Sequence, residues 1–131
     1  MILSFFPPIT MRYVDGFVIA VPQKNLASYR KMATFGRKLW LKYGALDYKE
    51  CVADDMHPRG IELTFPKLIK AKPHEIIVFS FIVYKSRTHR DMVNKKVMAD
   101  PAMSPEKMKE MPMPFAMNRM ACGGFKVFVD V

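Results

Sequence analysis

The apolar residues of this 131-residue chain change their spacing in step with a series of strands and helices. Over residues 12–21, RYVDGFVIAV, β-branched and aromatic side chains crowd together and stop at Pro22, which predicts a strand. From Gln23 to Tyr43 the period lengthens. Leu26, Tyr29, Ala33, Gly36, Trp40 and Tyr43 follow one another at intervals of three and four, the stripe of an amphipathic helix, and Gly44 sits where a left-handed C-terminal cap belongs. Gly36 inside that helix costs about 1 kcal/mol against alanine, which implies a close approach to the sheet at that point. Residues 45–53, ALDYKECVA, have the mixed polarity of an edge strand, and a long connection broken by three prolines covers 54–74. EIIVFSFIVY, residues 75–84, is apolar on both faces and predicts a central strand. Ser86 then caps a helix running to about Ala99, stopped by Asp100-Pro101. Ser104 and Pro105 open a short extra helix, and MPMPF leads to a last strand expected over Arg119 to Val131.

The order β-α-β-β-α-β is the plan of a ferredoxin-like α+β fold, with a four-stranded antiparallel sheet whose first and third strands are central. Polarity agrees with that placement, because 12–21 and 75–84 are apolar on both faces and 45–53 is not. Two helices cover only one face of such a sheet. Yet Val14, Val18 and Ala20 oppose Tyr13, Phe17 and Ile19, and Ile77, Phe79 and Phe81 oppose Ile76, Val78 and Ile82. Apolar area is worth about 25 cal/mol per Å² when buried, and a bare apolar face of several hundred Å² exceeds what monomers tolerate. A second copy related by a two-fold axis would cover it. The expected assembly is therefore a homodimer, with the apolar C-terminal strand GGFKVFVDV in its interface.

Composition narrows the class. The length suits one domain able to fold without disulfides or metal, and no run nears the roughly 18 apolar residues of a membrane span. Cys51 and Cys122 are too few for a disulfide framework, so reduced thiols and a cytoplasmic location are expected. MILSFFPPIT has no basic n-region and its apolar run ends at Pro7-Pro8, unlike a secretory signal. The structured pattern begins at Met11; residues 1–10 are expected to be a disordered or non-native extension, and 11–131 a single domain. The formal charge of +9 raises nucleic acid as a partner. However, Lys24, Arg30, Lys31, Arg37, Lys38 and Lys42 recur along one helix, and Arg87, Arg90, Lys95 and Lys96 along another, as solvated faces do. Specific nucleic-acid binding is not expected.

Four blocks, YVDGFV (13–18), GALDYKECVADD (44–55), FSFIVYKSRTHRDMVNKKVMADP (79–101) and MPFAMNRMACGGFKVFVDV (113–131), resemble the YbaA-like family of bacterial proteins, the domain of unknown function 1428. The resemblance runs from about Met11 to the end. It departs at Cys122 and Lys126, where an aromatic and an acid are common. It implies a dimeric α/β barrel, in which two ferredoxin-like protomers pack sheet to sheet, and it carries no reaction.

Candidate chemistry is thin. His89 in SRTHRD could serve as a base near neutral pH, or simply help close the start of its helix. Asp15 interrupts an apolar strand and needs a partner; Arg119 or Arg12 is expected to reach it across the sheet. The seven methionines from Met98 to Met120 include MKEMPMP, whose thioethers would suit a soft metal but more often fill irregular gaps or form an adaptable lid over a pocket. His57, His74 and His89 lack ligand spacing, and neither a metal nor another cofactor is expected. The leading reading is a small-molecule-binding protein with a pocket between sheet and helices, lined by Tyr13, Asp15, Trp40, Tyr84, His89 and Arg119. The alternatives are a cofactor-independent monooxygenase acting on a small aromatic, and an RNA-associated accessory protein.

Overall fold

In a computed structural model, which describes residues 11–131, strand β1 (Tyr13–Pro22) lies between β3 (Glu75–Tyr84) and β4 (Met120–Lys126), with β2 (Asp47–Val52) on the outer side of β3. All three pairings are antiparallel. The order β2-β3-β1-β4 puts the two doubly apolar strands in the middle, as their composition requires. β1 and β3 pair along their whole length, from Tyr13 opposite Tyr84 to Pro22 opposite Glu75.

One face of the sheet carries helices α1 (Leu26–Lys42) and α3 (Arg87–Ala99). The strand period of two sends Tyr13, Asp15, Phe17, Ile19 and Val21 toward them. Two core clusters result. Tyr13, Ile82 and Tyr84 pack with Leu39, Val93 and Val97, while Ile19, Val21 and Val78 pack with Tyr29, Ala33 and Phe115. The helix ends follow the expected chemistry. Ser86 Oγ accepts from the His89 N–H at 3.1 Å to cap α3, and Gly44 has φ +110° just past α1. Ser104 caps the short helix α4 (Pro105–Lys109), which begins with proline.

Three expectations need correcting. The segment 23–43 is not one helix: Pro22 precedes a 3-10 turn at Gln23–Asn25, and α1 starts at Leu26. The connection 54–74 holds a short helix, α2 (Phe65–Leu68), and Phe65 packs on Phe79 with ring centroids 6.0 Å apart. That contact lies on the face away from α1 and α3, where Ala20 and Ile77 are also buried, so this face is not wholly bare. Last, the terminal strand does not run to Val131. β4 ends at Lys126, Val127 N–H still reaches Arg12 O at 2.9 Å, and Phe128, Val129 and Val131 are exposed. Among the described residues β4 pairs only with β1, which begins at Tyr13, opposite Lys126. The expectation about residues 1–10 falls outside the described residues.

Candidate functional site

On the helix face a cavity of about 250 Å³, the most apolar of several hollows there, lies between α1 and the sheet. Strand β1 supplies Phe17 and Ile19, and α1 supplies Tyr29, Met32, Phe35 and Trp40. Its third side is the chain between α3 and β4, which contributes Met103, Met108, Met111 and Phe115. The methionine-rich stretch is thus a wall of the cavity. It is tied down at both ends. Asp100 accepts hydrogen bonds from Tyr43 Oη and from Lys42 Nζ, and its other oxygen caps the turn Pro101–Met103 through Ala102 N–H. At the far end Asn25 Nδ2 donates to Pro114 O at 3.0 Å, and Phe115 packs on Tyr29. Between these anchors flexible thioethers face the cavity, the side chains best able to refit around differing shapes.

Polar atoms are few and close together. Tyr29 Oη donates to the Glu50 carboxylate, 2.6 Å from Oε1 and 3.1 Å from Oε2, and Tyr48 and Ser80 complete the group. Burial raises the Glu50 carboxyl above the usual carboxylate range against the lowering effect of hydrogen bonds from Tyr29 and Ser80. Burial pushes up the Tyr29 and Tyr48 hydroxyls as well, each reinforced by the nearby Glu50 charge, so both stay protonated. Gly36 has its explanation here. A Cβ on it would stand 3.0 Å from the Tyr48 hydroxyl, so the missing side chain lets the edge strand come close to α1.

Beside this cavity lies a second cleft, walled by Asp15, Trp40, Tyr84, Arg90 and Asn94. Here four of the six residues singled out by sequence come together. Asp15 Oδ1 is 3.5 Å from Arg90 Nη1, and that guanidinium lies 4.9 Å from the centre of the Tyr13 ring. Asn94 Oδ1 accepts from Trp40 Nε1 at 3.0 Å and from Tyr84 Oη at 3.3 Å. Burial raises the Asp15 carboxyl, opposed chiefly by the Arg90 charge. Trp40 forms part of both walls.

The other two candidates lie elsewhere. His89 Nδ1 accepts from Lys85 N–H at 3.0 Å and its ring meets Tyr84 edge-on, so it closes the start of α3; burial lowers its pKa. Arg119 does not reach Asp15. It sits in the turn Met117–Arg119 before β4 and grips Glu75 through Nε and Nη2, at 3.0 and 2.6 Å, while also donating to the carbonyls of Ile69 and Lys70. The Asp15 partner is Arg90, one helical turn into α3, and neither Arg119 nor Arg12 pairs with it. Among the described residues no group of three or more His, Cys, Asp or Glu could hold a metal ion, and no helix is long and apolar enough to cross a membrane.

Sheet order, helices on one face and a cavity between the layers define a ferredoxin-like α+β protein with a partly open hollow on its helix side. A solved structure of similar fold, a dimeric ferredoxin-like protein from an uncultured marine organism, aligns over 92% of this chain and 99% of that one, with a TM-score of 0.60 and 9% identity. The family model described as protein of unknown function DUF1428 matches residues 12–117. The uncharacterized protein YbaA of Escherichia coli K12 is 43% identical over 122 residues, 92% of this chain and 99% of its own, and that of Shigella flexneri matches to the same extent. The chain belongs to the DUF1428 family.

Proposed function

We propose that the protein binds a small, largely apolar molecule in the cavity between sheet and helices, and that it does so as a homodimer whose sheets face one another. The observation that carries the binding reading is the cavity itself. About 250 Å³ of space stays open beneath adaptable thioethers, with its polar groups gathered at one point around Glu50. A well-packed interior has few voids larger than a water molecule, whereas ligand sites are apolar hollows with a few convergent polar groups. Trp40 joins this site from the sequence-selected set, and Asp15 and Tyr84 form the polar flank beside it.

The dimer reading is supported by the opposite face of the sheet. Phe79 is 41% exposed and Phe125 62%, and Val14, Val18, Phe81 and Val83 around them are only half-buried. These apolar side chains lie on three neighbouring strands. The structural neighbour is itself described as dimeric.

Native mass spectrometry of gently purified protein tests both parts together. A mass of two 15.1 kDa chains carrying a retained small molecule is expected. Bare single chains, with no thermal stabilisation by any member of an apolar compound library, would overturn the reading. The basic helix faces and the oxygenase alternative have no observation of their own in the site.

A further inference from the structure

Each of the other shielded carboxylates has a cation. Asp15 meets Arg90, Glu75 meets Arg119 and Asp100 meets Lys42. Glu50 does not: among the described residues no lysine, arginine or histidine nitrogen lies within 4.0 Å of it. Its partners are the neutral hydroxyls of Tyr29 and Ser80. A carboxylate has about four acceptor positions, so two hydroxyl donors leave part of its capacity unused. Glu50 is half-buried, and a charge partly withdrawn from water without a counter-charge carries a cost; the cavity has room for a counter-charge.

The remaining lining suits such a guest. The rings of Phe17, Phe35, Trp40 and Tyr48 surround the space together with methionine thioethers. Aromatic faces attract organic ammonium groups through their negative quadrupole, most strongly where water is excluded. From this we infer that the ligand is a small organic amine, its ammonium set against Glu50 and its apolar body among the rings and thioethers. The inference rests on the reading of the cavity as a ligand site. Two opposing charges need weighing. Arg30 and Arg37 of α1 line a cleft on the outer side of Glu50, but neither comes within ion-pair distance. The net charge of +9 repels cations at long range, an effect screened beyond roughly 8 Å at physiological salt, while Glu50 acts at contact.

Three probes of matched shape separate the possibilities: 3-phenylpropylamine, 3-phenylpropanol and 3-phenylpropanoate, titrated into the whole protein at pH 8. Trp40, the only tryptophan, reports occupancy from within the cavity wall, and calorimetry gives the affinity. The amine is expected to bind about tenfold or more tightly than the alcohol, since a charge-assisted hydrogen bond replaces a neutral one, and the carboxylate least. Glu50→Gln keeps an oxygen to accept from Tyr29 and should bring the amine level with the alcohol. Should that variant fail to fold, the ranking on the unaltered protein decides alone. Equal binding of amine and alcohol overturns the amine inference while leaving the ligand site standing. No binding by any of the three overturns both.

Discussion

The Tyr48 hydroxyl stands 3.0 Å from the point a Cβ on Gly36 would occupy, so one missing side chain on α1 sets how near the edge strand comes and how the cavity is walled. Alanine at position 36 would improve the helix by about 1 kcal/mol and press only on the free end of a tyrosine. Gly36→Ala should therefore leave the melting temperature nearly unchanged. Gly36→Leu would overlap Tyr48 and the cavity, and overpacking of that kind costs about 1–3 kcal/mol. It should abolish probe binding; thermal melts and titrations on both variants check the pair, and full binding by the leucine variant would remove the cavity from its assigned place.

Glu50 should weaken the fold at neutral pH. Its folded pKa is raised by burial, so between its unfolded and folded values the native state holds the extra proton, and stability falls as pH rises through that interval. Glu50→Gln cannot ionise. Its melting temperature at pH 7.5 should equal or exceed that of the unaltered protein, and the difference should shrink as pH is lowered toward about 4.5. A variant clearly less stable at pH 7.5 and unchanged near pH 4.5 would show the sign to be wrong.

Glu75 acts in the opposite sense. The hydrogen bonds from Arg119 are the main cause holding its carboxyl down to about 2, and its side chain is only 4% exposed. A depressed carboxylate contributes stability above its unfolded pKa and loses it as pH falls from about 5 toward 2. Arg119→Ala leaves Glu75 without its partner and should cost about 1–2 kcal/mol at pH 7. It should also flatten the acid limb of the stability curve. Because Arg119 also holds the carbonyls of Ile69 and Lys70, hydrogen exchange should quicken across 54–74. Slow exchange there in the variant would count against the clamp.

Gly124 lets Tyr13 lie across β4. A Cβ on it would come 2.7 Å from Tyr13 Cε2 and meet the hydroxyl as well, and Arg90 lies over that ring and donates to its hydroxyl. Gly124→Ala should destabilise by about 1–3 kcal/mol. Gly60, which has open space around it but φ +81°, provides a contrast: Gly60→Ala pays for backbone strain alone, of order 1 kcal/mol. Chemical denaturation of the two variants gives the comparison, and equal, small effects would argue that β4 yields.

Phe125 is 62% exposed on the open face, over Gly16 and Gly123. A charged residue there costs a lone protomer little but cannot be buried in an apolar contact. Phe125→Glu should convert a species of twice 15.1 kDa into single chains with unchanged circular dichroism. Light scattering at micromolar concentration reads the change, and an unaltered protein already at 15.1 kDa would refute the facing sheets.

Much of this fold is written in periods. A run apolar on both faces placed β3 at Glu75–Tyr84, spacings of three and four placed α1 apart from its first turn, and Ser86, Gly44 and Asp100-Pro101 marked the helix ends that local sterics and capping impose whatever lies nearby. The ordering of the strands follows from the same source, since only doubly apolar strands tolerate the centre of the sheet. Glu50 was hidden within a strand of mixed polarity. Its clue is period two: Tyr48, Glu50 and Val52 share the face toward the helices, opposite Ile82, Ser80 and Val78. Partnership was not legible. Asp15 takes Arg90 rather than Arg119 because α3 crosses the Tyr13 end of β1, while the turn before β4 lies near the Glu75 end of β3. A sequence determines what each segment prefers within its own few residues; which distant side chains meet, and where space is left between them, is decided only when register and helix placement bring residues 75 positions apart to within 4 Å.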